Sequence, residues 1–268
     1  MRLAGAHVLL TGATGTIGVR LAAELARRGA RLTLVARTSA PLVALAGPLG
    51  AAVVAADLTD TVRLPDVLRS AEDAHGAVDV LLHNAAIETA GPVAEAHPDD
   101  VRATMALNLA APLELTRLTL PTMLARRRGH VVAVSSLAAV ATFPGLALYG
   151  ASKAGLSAAM AGLRLELRAT PVRTTTVELG PVHSSMMDRI EDEALAAASF
   201  TRARRLGALP VLDPDVVAPA VVRAVEEDRH RLTLPRRVAP LALLTEAPRA
   251  VVRAALTGVR AAQVGAAR

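Results

Sequence analysis

Apolar runs and amphipathic stretches alternate along the chain, separated by glycine, proline and charged residues. Short, fully apolar runs are typical of strands buried in a parallel sheet, whereas apolar positions spaced three or four apart are typical of helices that pack on it. The alternation predicts an α/β fold, a doubly wound parallel sheet of about seven strands in a single domain. The predicted strands are Ala6–Thr11, Arg31–Ala36, Ala51–Ala56, Val78–Leu82, His130–Val134, Val172–Leu179 and Arg231–Leu234. The predicted helices are Val19–Arg28, Val62–Ala74, Asp99–Arg128 with bends at Pro112 and Pro121, a helix carrying Tyr149, and Asp213–Asp228.

Two segments extend this pattern. Residues 183–209 are expected to form a loop and a helix that cover a substrate, because methionine-rich apolar surfaces adapt to apolar ligands; a helix that merely packs on the domain is the alternative. The alanine-rich residues 236–268 are predicted to be a helical extension packed on the domain formed by residues 1–235, and contact with an anionic membrane surface is the less favoured interpretation. The apolar positions of the first segment are Met186, Met187, Ile190, Leu195, Phe200 and Leu206.

Composition limits the classes of function. Hydrophobic residues make up 52% of the 268 positions, but aromatic residues only 1%, so the core must consist of alanine, valine and leucine. Cysteine is absent, which excludes disulfides and thiolate metal sites and fits a cytoplasmic protein. No metal site is predicted. A net charge of +6 invites a nucleic-acid interpretation, which we discount because the arginines are dispersed and bases would find almost no aromatic side chains to stack on.

Neither the N-terminus nor the centre of the chain predicts a membrane segment. The apolar run Val8–Leu10 is too short for a signal peptide. Residues Val131 to Ser152 carry no charge over a length that suits a membrane span. Because serine, proline and glycine interrupt this stretch, it is predicted to be a buried strand, a loop and the start of a helix.

A glycine-rich turn, Thr11 to Gly18, joins the first strand to the first helix. In this context glycines let the backbone approach a pyrophosphate, and the helix N-terminus offers free N–H groups. The second strand ends in Ala36 followed by Arg37. An acidic residue at this place binds the adenosine ribose, whereas an arginine accommodates a 2′-phosphate. The sequence therefore predicts NADP(H) in preference to NAD(H), although an ordinary exposed arginine is the alternative interpretation.

The chain has one tyrosine, Tyr149, and one lysine, Lys153; all the other basic side chains among its 30 lysines and arginines are arginines. On a helix their spacing puts both side chains on one face. An ammonium near a phenol favours the phenolate, so Lys153 is expected to lower the pKa of Tyr149 towards neutrality. An inert surface pair is the alternative, which the scarcity of both residue types makes the weaker one.

The Tyr-x-x-x-Lys spacing resembles the signature of the short-chain dehydrogenase/reductase family, and the resemblance extends to about residue 235. It implies a Rossmann-type fold and hydride transfer between a nicotinamide and a carbonyl or alcohol carbon, with Tyr149 as acid and base. It also implies that Ser136, thirteen residues before Tyr149, holds the substrate oxygen in preference to Ser135. Asn108 is expected to hold a water that relays protons from Lys153, with a satisfied buried amide as the alternative.

The same resemblance implies a cofactor site along the strand ends. Thr16 departs from the family's usual glycine there, and the spacing of Gly12, Gly15 and Gly18 is similar to that of the longer, extended members. Ala86 replaces the glycine of an Asn-Ala-Gly segment. His183 is interpreted as incidental. The predicted cofactor-binding residues are Gly12, Thr14, Gly15, Thr16, Ile17, Gly18, Arg37, Asp57, Leu58, Asn84, Ala85, Lys153, Gly180, Pro181, Val182 and Ser184.

The predicted substrate is an apolar ketone, aldehyde or alcohol, and the predicted assembly is a homodimer or homotetramer, as the resemblance implies. Two other functions stay open. One is a non-catalytic Rossmann-type binding or regulatory protein, which Thr16 and Ala86 would allow. The other is an epimerase or dehydratase like the extended members, for whose larger substrate domain 268 residues leave little room.

Overall fold

The computed structural model describes residues 1–141, 143–205 and 210–239. Within these residues seven strands form one parallel sheet in the spatial order β3-β2-β1-β4-β5-β6-β7, which confirms the predicted doubly wound α/β fold. The strand order reverses between β1 and β4, and ligands of such sheets bind at the carboxyl ends of the strands beside this reversal. The strands are β1 (His7–Thr11), β2 (Arg31–Ala36), β3 (Ala52–Ala55), β4 (Val80–His83), β5 (His130–Ser136), β6 (Arg173–Leu179) and β7 (Arg231–Leu234).

Helices connect the strands and cover both faces of the sheet. They are α1 (Thr16–Arg27), α2 (Ser39–Leu49), α3 (Leu64–His75), α4 (Pro98–Met105), α5 (Ala111–Ala125), α6 (Ala147–Glu166), α7 (Ser185–Asp192), α8 (Ala194–Arg205) and α9 (Pro214–Glu226). The sequence analysis missed α2, whose buried residues are only Leu42 and Ala46. Two helices, α7 and α8, occupy the segment predicted as a loop and one helix.

Alternate side chains of the strands enter opposite apolar layers, as the period of an extended chain requires. On β1, Val8 and Leu10 pack in the layer formed with α1, α2 and α9. Leu9 points the other way, into the layer formed with α3, α5 and α6. Because both layers are built from valine, leucine and alanine, the core needs almost no aromatic side chains.

The predicted helix Asp99–Arg128 is divided. A π-helical turn, Ala106–Ala110, separates α4 from α5. Pro112 lies just after this turn and has no N–H to offer the carbonyl of Asn108, four residues earlier, so the regular hydrogen-bond ladder is interrupted here. Pro121, by contrast, lies inside the continuous α5.

The apolar stretch 131–152 consists of β5, a short 3-10 turn and the beginning of α6. Among the helices that the structure describes, none is both long and apolar enough to cross a bilayer. No group of three or more histidine, aspartate or glutamate side chains is arranged to hold a metal ion in that part of the chain. Of the predicted extension 236–268, only residues up to 239 are described, with a 3-10 turn at Arg236–Val238; the rest lies outside the described residues, as does Leu206.

Candidate active site

The glycine turn after β1 is closely packed. Gly12 has a φ of +65°, and a Cβ there would lie 2.6 Å from the Cα of Ala85. A Cβ on Gly18 would lie 2.1 Å from the carbonyl oxygen of Gly12. Both positions therefore require glycine, whereas Gly15 is exposed and has a φ of −73° that any residue adopts.

The end of β4 is fastened to this turn. The side-chain amide of Asn84 donates to the carbonyl oxygens of Gly12, at 2.9 Å, and Thr11, at 3.2 Å. The hydroxyl of Thr11 accepts the backbone N–H groups of Asn84 and Ala85. These bonds hold the carboxyl ends of β1 and β4 together at the point where the strand order reverses.

The first turn of α1 is open to an anion. Gly15 caps the helix without a side chain, no acidic residue lies in the first turn, and the first N–H groups of any helix lack intrahelical partners. Thr16 is the first helical residue, a backbone position that does not demand glycine. The departure from the family pattern thus falls at a helical position, where a side chain is accommodated. Together with the glycine cradle, these features fit the pyrophosphate of a dinucleotide.

A separate groove collects the residues predicted to bind the adenosine end. Arg37 and Asp57 both line it, at the ends of β2 and β3. Thr59 donates its backbone N–H and its hydroxyl to the Asp57 carboxylate, which lowers the pKa of Asp57, and Arg37 adds a smaller effect in the same direction. Leu58 is buried, with 5% of its surface exposed, and packs in the core.

Ser136, Tyr149 and Lys153 meet at the base of a pocket at the carboxyl edge of the sheet. Ser136 is the last residue of β5, and the other two lie one turn apart on α6. The Ser136 hydroxyl accepts the backbone N–H of Ala138 at 3.1 Å and lies close enough to the Tyr149 hydroxyl to lower its pKa. The Lys153 ammonium lies 5.8 Å from the centroid of the Tyr149 ring and donates to the carbonyl oxygen of Val134 at 2.9 Å.

The protonation of this pair differs from the sequence-based expectation. Burial raises the pKa of Tyr149 to about 12; the hydrogen bond from Ser136 opposes this rise, and the charge of Glu88 adds to it. Burial likewise lowers the pKa of Lys153 to about 8. The expectation that Lys153 brings the phenol towards neutrality was therefore wrong for the protein alone, because burial disfavours the charged form of each group and is the largest cause of both shifts.

Ser135 and Asn108 are engaged elsewhere. The Ser135 hydroxyl faces α6, where it bonds the Ser157 hydroxyl at 2.8 Å and donates to the Lys153 carbonyl oxygen at 3.3 Å. The buried amide of Asn108 donates to Ile87 O at 2.8 Å and to Ser152 Oγ at 3.0 Å, and its oxygen accepts the Ile87 N–H at 2.9 Å. The Asn108 side chain thus joins α6 to the loop after β4 through three hydrogen bonds.

The turn after β6 forms the opposite wall of the pocket, where Gly180, Pro181, Val182 and Ser184 all line it. The Ser184 hydroxyl caps α7 by accepting the backbone N–H of Met187 at 3.2 Å. His183 is exposed and does not line this pocket.

The phenylalanine and tyrosine rings of the chain, three in all, lie around this one pocket, a convergence that the sequence analysis missed. Phe143, in the loop before α6, stacks on Phe200 of α8 with ring centroids 5.3 Å apart and planes 5° apart, and Tyr149 lies below them. The signal was available, because phenylalanine is as scarce in this chain as tyrosine and lysine. The remaining apolar wall consists of Ile17, Leu137, Leu146, Leu179, Met186, Met187 and Ile190.

Comparison with known proteins identifies the family of the chain. The family model "short chain dehydrogenase" matches residues 6–195. Ketoacyl reductase HetN of Nostoc sp. is 34% identical over 232 residues, which cover 84% of this chain and 76% of that protein. Glycine betaine reductase ATRR of Emericella nidulans is 32% identical over 233 residues, or 85% of this chain, but the chain spans only 18% of its length.

A solved structure resembles the chain over nearly its whole length. The short-chain dehydrogenase from Sphingobium yanoikuyae, in complex with NADPH, has a TM-score of 0.78 and 27% identity, covering 96% of this chain and 99% of that one. The family model and the relatives show that the chain belongs to the short-chain dehydrogenase/reductase family, oxidoreductases that act on CH–OH or C=O groups with a nicotinamide dinucleotide.

Proposed function

We propose that the protein is an NADP(H)-dependent oxidoreductase that interconverts an apolar carbonyl compound and its alcohol. The observation that carries this proposal is the convergence of Tyr149, Ser136 and Lys153 on one apolar pocket, with the Lys153 ammonium 5.8 Å from the centroid of the buried Tyr149 ring. The dinucleotide, when bound, supplies or accepts the hydride. Every other part of the proposed chemistry belongs to side chains of the chain.

Tyr149 acts on the substrate oxygen. Because its pKa is about 12, the phenol is protonated at neutral pH, which is the form needed to donate a proton to a carbonyl oxygen. Ser136 holds the same oxygen by a hydrogen bond and stabilises the charge that develops there. Lys153, with a pKa of about 8, remains largely an ammonium at neutral pH and stabilises the phenolate charge that forms during turnover.

Replacement of the proton is assigned to Lys153 and a water near Asn108. Both N–H groups of the Asn108 side chain are already donated, and Pro112 has no N–H to offer the Asn108 backbone carbonyl, so we assign this carbonyl to hold that water. In this proposal the water of the proton relay is held by the main chain of the π-helical turn and not by the side-chain amide of Asn108.

The preference for NADP(H) rests on Arg37. It is exposed at the end of β2, in a groove that Arg63 and three aspartates, Asp57, Asp60 and Asp66, also line. The Asp57 carboxylate accepts two hydrogen bonds from Thr59. An arginine accommodates a 2′-phosphate, and Ala36 offers no carboxylate to bind ribose hydroxyls. The relative bound to NADPH supports this choice.

The lining of the pocket favours apolar substrates. Among the described residues that line the pocket, Lys153 is the one with a charged side chain.

We propose that copies of the chain associate through α5 and α6 as a dimer or tetramer. Both helices have an exposed leucine: Leu113 on α5 is 43% exposed and Leu165 on α6 is 39% exposed.

The proposal is tested by following oxidation of NADPH and NADH by the protein in the presence of apolar ketones and aldehydes. We expect turnover with NADPH in preference to NADH. Tyr149→Phe should lower kcat by about 10²- to 10⁴-fold, because a positioned acid contributes that much, while NADPH binding is retained. Thermal stabilisation by NADPH without turnover of any carbonyl compound would instead favour a binding protein, and loss of NADPH binding in Tyr149→Phe would make the tyrosine structural.

A further inference from the structure

An ion pair joins α7, which covers the pocket, to the loop after β4. The guanidinium of Arg189 on α7 donates to the carboxylate of Glu88, 101 positions earlier in the chain. The two partners differ in exposure: 7% of the Glu88 side chain is accessible, against 59% of Arg189. A carboxylate so deeply buried needs its partner, since removal of one member leaves an uncompensated charge.

Glu88 is held in place from both sides along the chain. Its predecessor, Ile87, exchanges two backbone hydrogen bonds with the amide of Asn108. Its successor, Thr89, bonds through its hydroxyl to that of Thr104 on α4. The carboxylate is therefore fixed relative to the body of the domain and cannot follow a movement of α7, whereas the exposed Arg189 can turn into solvent.

The segment formed by α7 and α8, here called the lid, reaches the loops of the pocket at other points as well. Glu193, between the two helices, caps α8 through the N–H groups of Leu195 and Ala196. It sits on Gly145, where a Cβ would lie 2.8 Å from its carboxylate. The Phe143–Phe200 stack adds apolar contact. These contacts hold α8, whereas the ion pair is a charged contact of α7, the helix that carries Met187 and Ile190 into the pocket.

We propose that Glu88 and Arg189 are positioning residues that hold α7 closed over the substrate pocket, so that the pair sets the affinity for the apolar substrate. The proposal rests on the proposed function for its substrate. Met187 and Ile190 are buried in the closed arrangement, at 6% and 5% exposure. Opening α7 removes these side chains from the pocket wall and separates Arg189 from a carboxylate that stays behind, so the pair favours the closed, substrate-retaining state.

The test compares Arg189→Gln, Glu88→Gln and the double variant with the parent protein. Arg229→Gln is the matched control, because Arg229 forms an exposed ion pair with Glu227 just before β7, at the opposite, amino-terminal edge of the sheet. Two quantities are measured: amide hydrogen exchange of residues 185–192, and kcat and KM for the best apolar carbonyl substrate with NADPH.

Each single variant should accelerate exchange across α7 and raise KM about fivefold, the factor that corresponds to one modest ion pair. The double variant should be no worse than either single one, since both remove the same interaction. In Arg189→Gln, kcat should change little. The effect on kcat is assessed in this variant alone, because Glu88→Gln also removes a charge near Tyr149. The control should match the parent protein.

Unchanged exchange of α7 in both single variants would overturn the proposal, as would additive effects on KM in the double variant. A fall in kcat at unchanged KM in Arg189→Gln would also contradict it. If the parent protein turns over no carbonyl compound, the proposed function fails, whereas the exchange measurement still decides whether the ion pair holds α7.

Discussion

Ser135 and Ser136 are neighbours at the end of β5, and their side chains have different partners because successive residues of a strand point in different directions. Ser136 reaches Tyr149 in the pocket, and Ser135 reaches Ser157 on α6. The family spacing selects Ser136, and the strand's alternation gives the physical reason why its neighbour cannot take the same place.

Substitution of each serine by alanine separates the two tasks. Ser136→Ala should lower kcat about 10²-fold, because a donor to the developing oxyanion is lost, with little change in stability. Ser135→Ala should leave kcat near the parent value and lower the free energy of unfolding by about 1 kcal/mol, because Ser157 loses its partner. Steady-state kinetics and urea denaturation measure both effects. Equal losses of kcat in the two variants would contradict the assignment.

Residue types that are rare in this chain indicated candidate functional residues. Tyr149 and Lys153 were selected because the chain holds one of each, and the same reasoning applied to Phe143 and Phe200 would have predicted their convergence. Glu88 and Arg189 give no such signal, since glutamate and arginine are abundant and the pair forms only when two distant segments meet. The pKa of Tyr149 was also beyond the sequence, because it depends on how completely the folded chain excludes water.

Among the elements, the turn from β1 into α1 has the tightest steric demands. A methyl carbon added at Gly18 would collide with the carbonyl oxygen of Gly12. At Gly15 the added carbon would lie 3.4 Å from that same oxygen, which is close to an ordinary contact, and the φ there is ordinary too. The three glycines therefore look equivalent in the sequence but are not equivalent in the fold.

Gly18→Ala should lower the free energy of unfolding by about 3 kcal/mol, because the added methyl group forces α1 away from the turn. Gly15→Ala should cost less than about 1 kcal/mol, which is the scale of a change at a helix N-cap. Denaturation midpoints at equal protein concentration measure the difference. Equal midpoints for the two variants would show that the turn adapts to a side chain at position 18.

The interruption between α4 and α5 could not be predicted from the sequence. Two prolines were expected to bend one long helix, but only Pro112 coincides with an interruption, and Pro121 is accommodated. Both prolines lack a backbone N–H, so this property alone does not explain why the helix is interrupted only near Pro112. What differs is the neighbourhood of Asn108, whose bonds to Ile87 and Ser152 fix the π-helical turn and depend on distant parts of the chain.

Across the whole molecule, three buried histidines on the strands share one arrangement. His7, His83 and His130 each bond through Nε2 to a threonine hydroxyl, those of Thr33, Thr116 and Thr175. Burial lowers the pKa of His83 to about 3, with a smaller effect of Lys153, and that of His130 to about 4. The pKa of His7 is lowered as well, again chiefly by burial.

These shifts predict a loss of stability in mild acid. An unfolded histidine binds its proton near pH 6.5, whereas the folded chain resists protonation down to about pH 4 at His130. Stability is therefore complete above pH 6.5 and falls as the pH drops towards 4, by up to about 1.4 kcal/mol per pH unit for each such group. Denaturation midpoints between these pH values should show the decline, and His130→Gln should flatten it. His183→Gln, at an exposed position, should leave the slope unchanged.

The overall topology was the most predictable level of all. The central strands β1, β4 and most of β5 were predicted from their apolar runs, because strands buried on both faces leave little freedom in composition. Their parallel arrangement followed from the alternation with helices. The lid was predicted less completely, since its division into α7 and α8 depends on contacts that the lid makes with Phe143, Gly145 and Glu88 in distant parts of the chain.

The convergence of the chain's rings on one pocket has an optical consequence. With no tryptophan and a single tyrosine, the near-ultraviolet absorption and fluorescence of the free protein come from Tyr149 alone, apart from the weak bands of two phenylalanines that line the same cavity. Spectroscopy on the unlabelled protein thus observes this pocket directly, because all of its phenylalanine and tyrosine side chains line it.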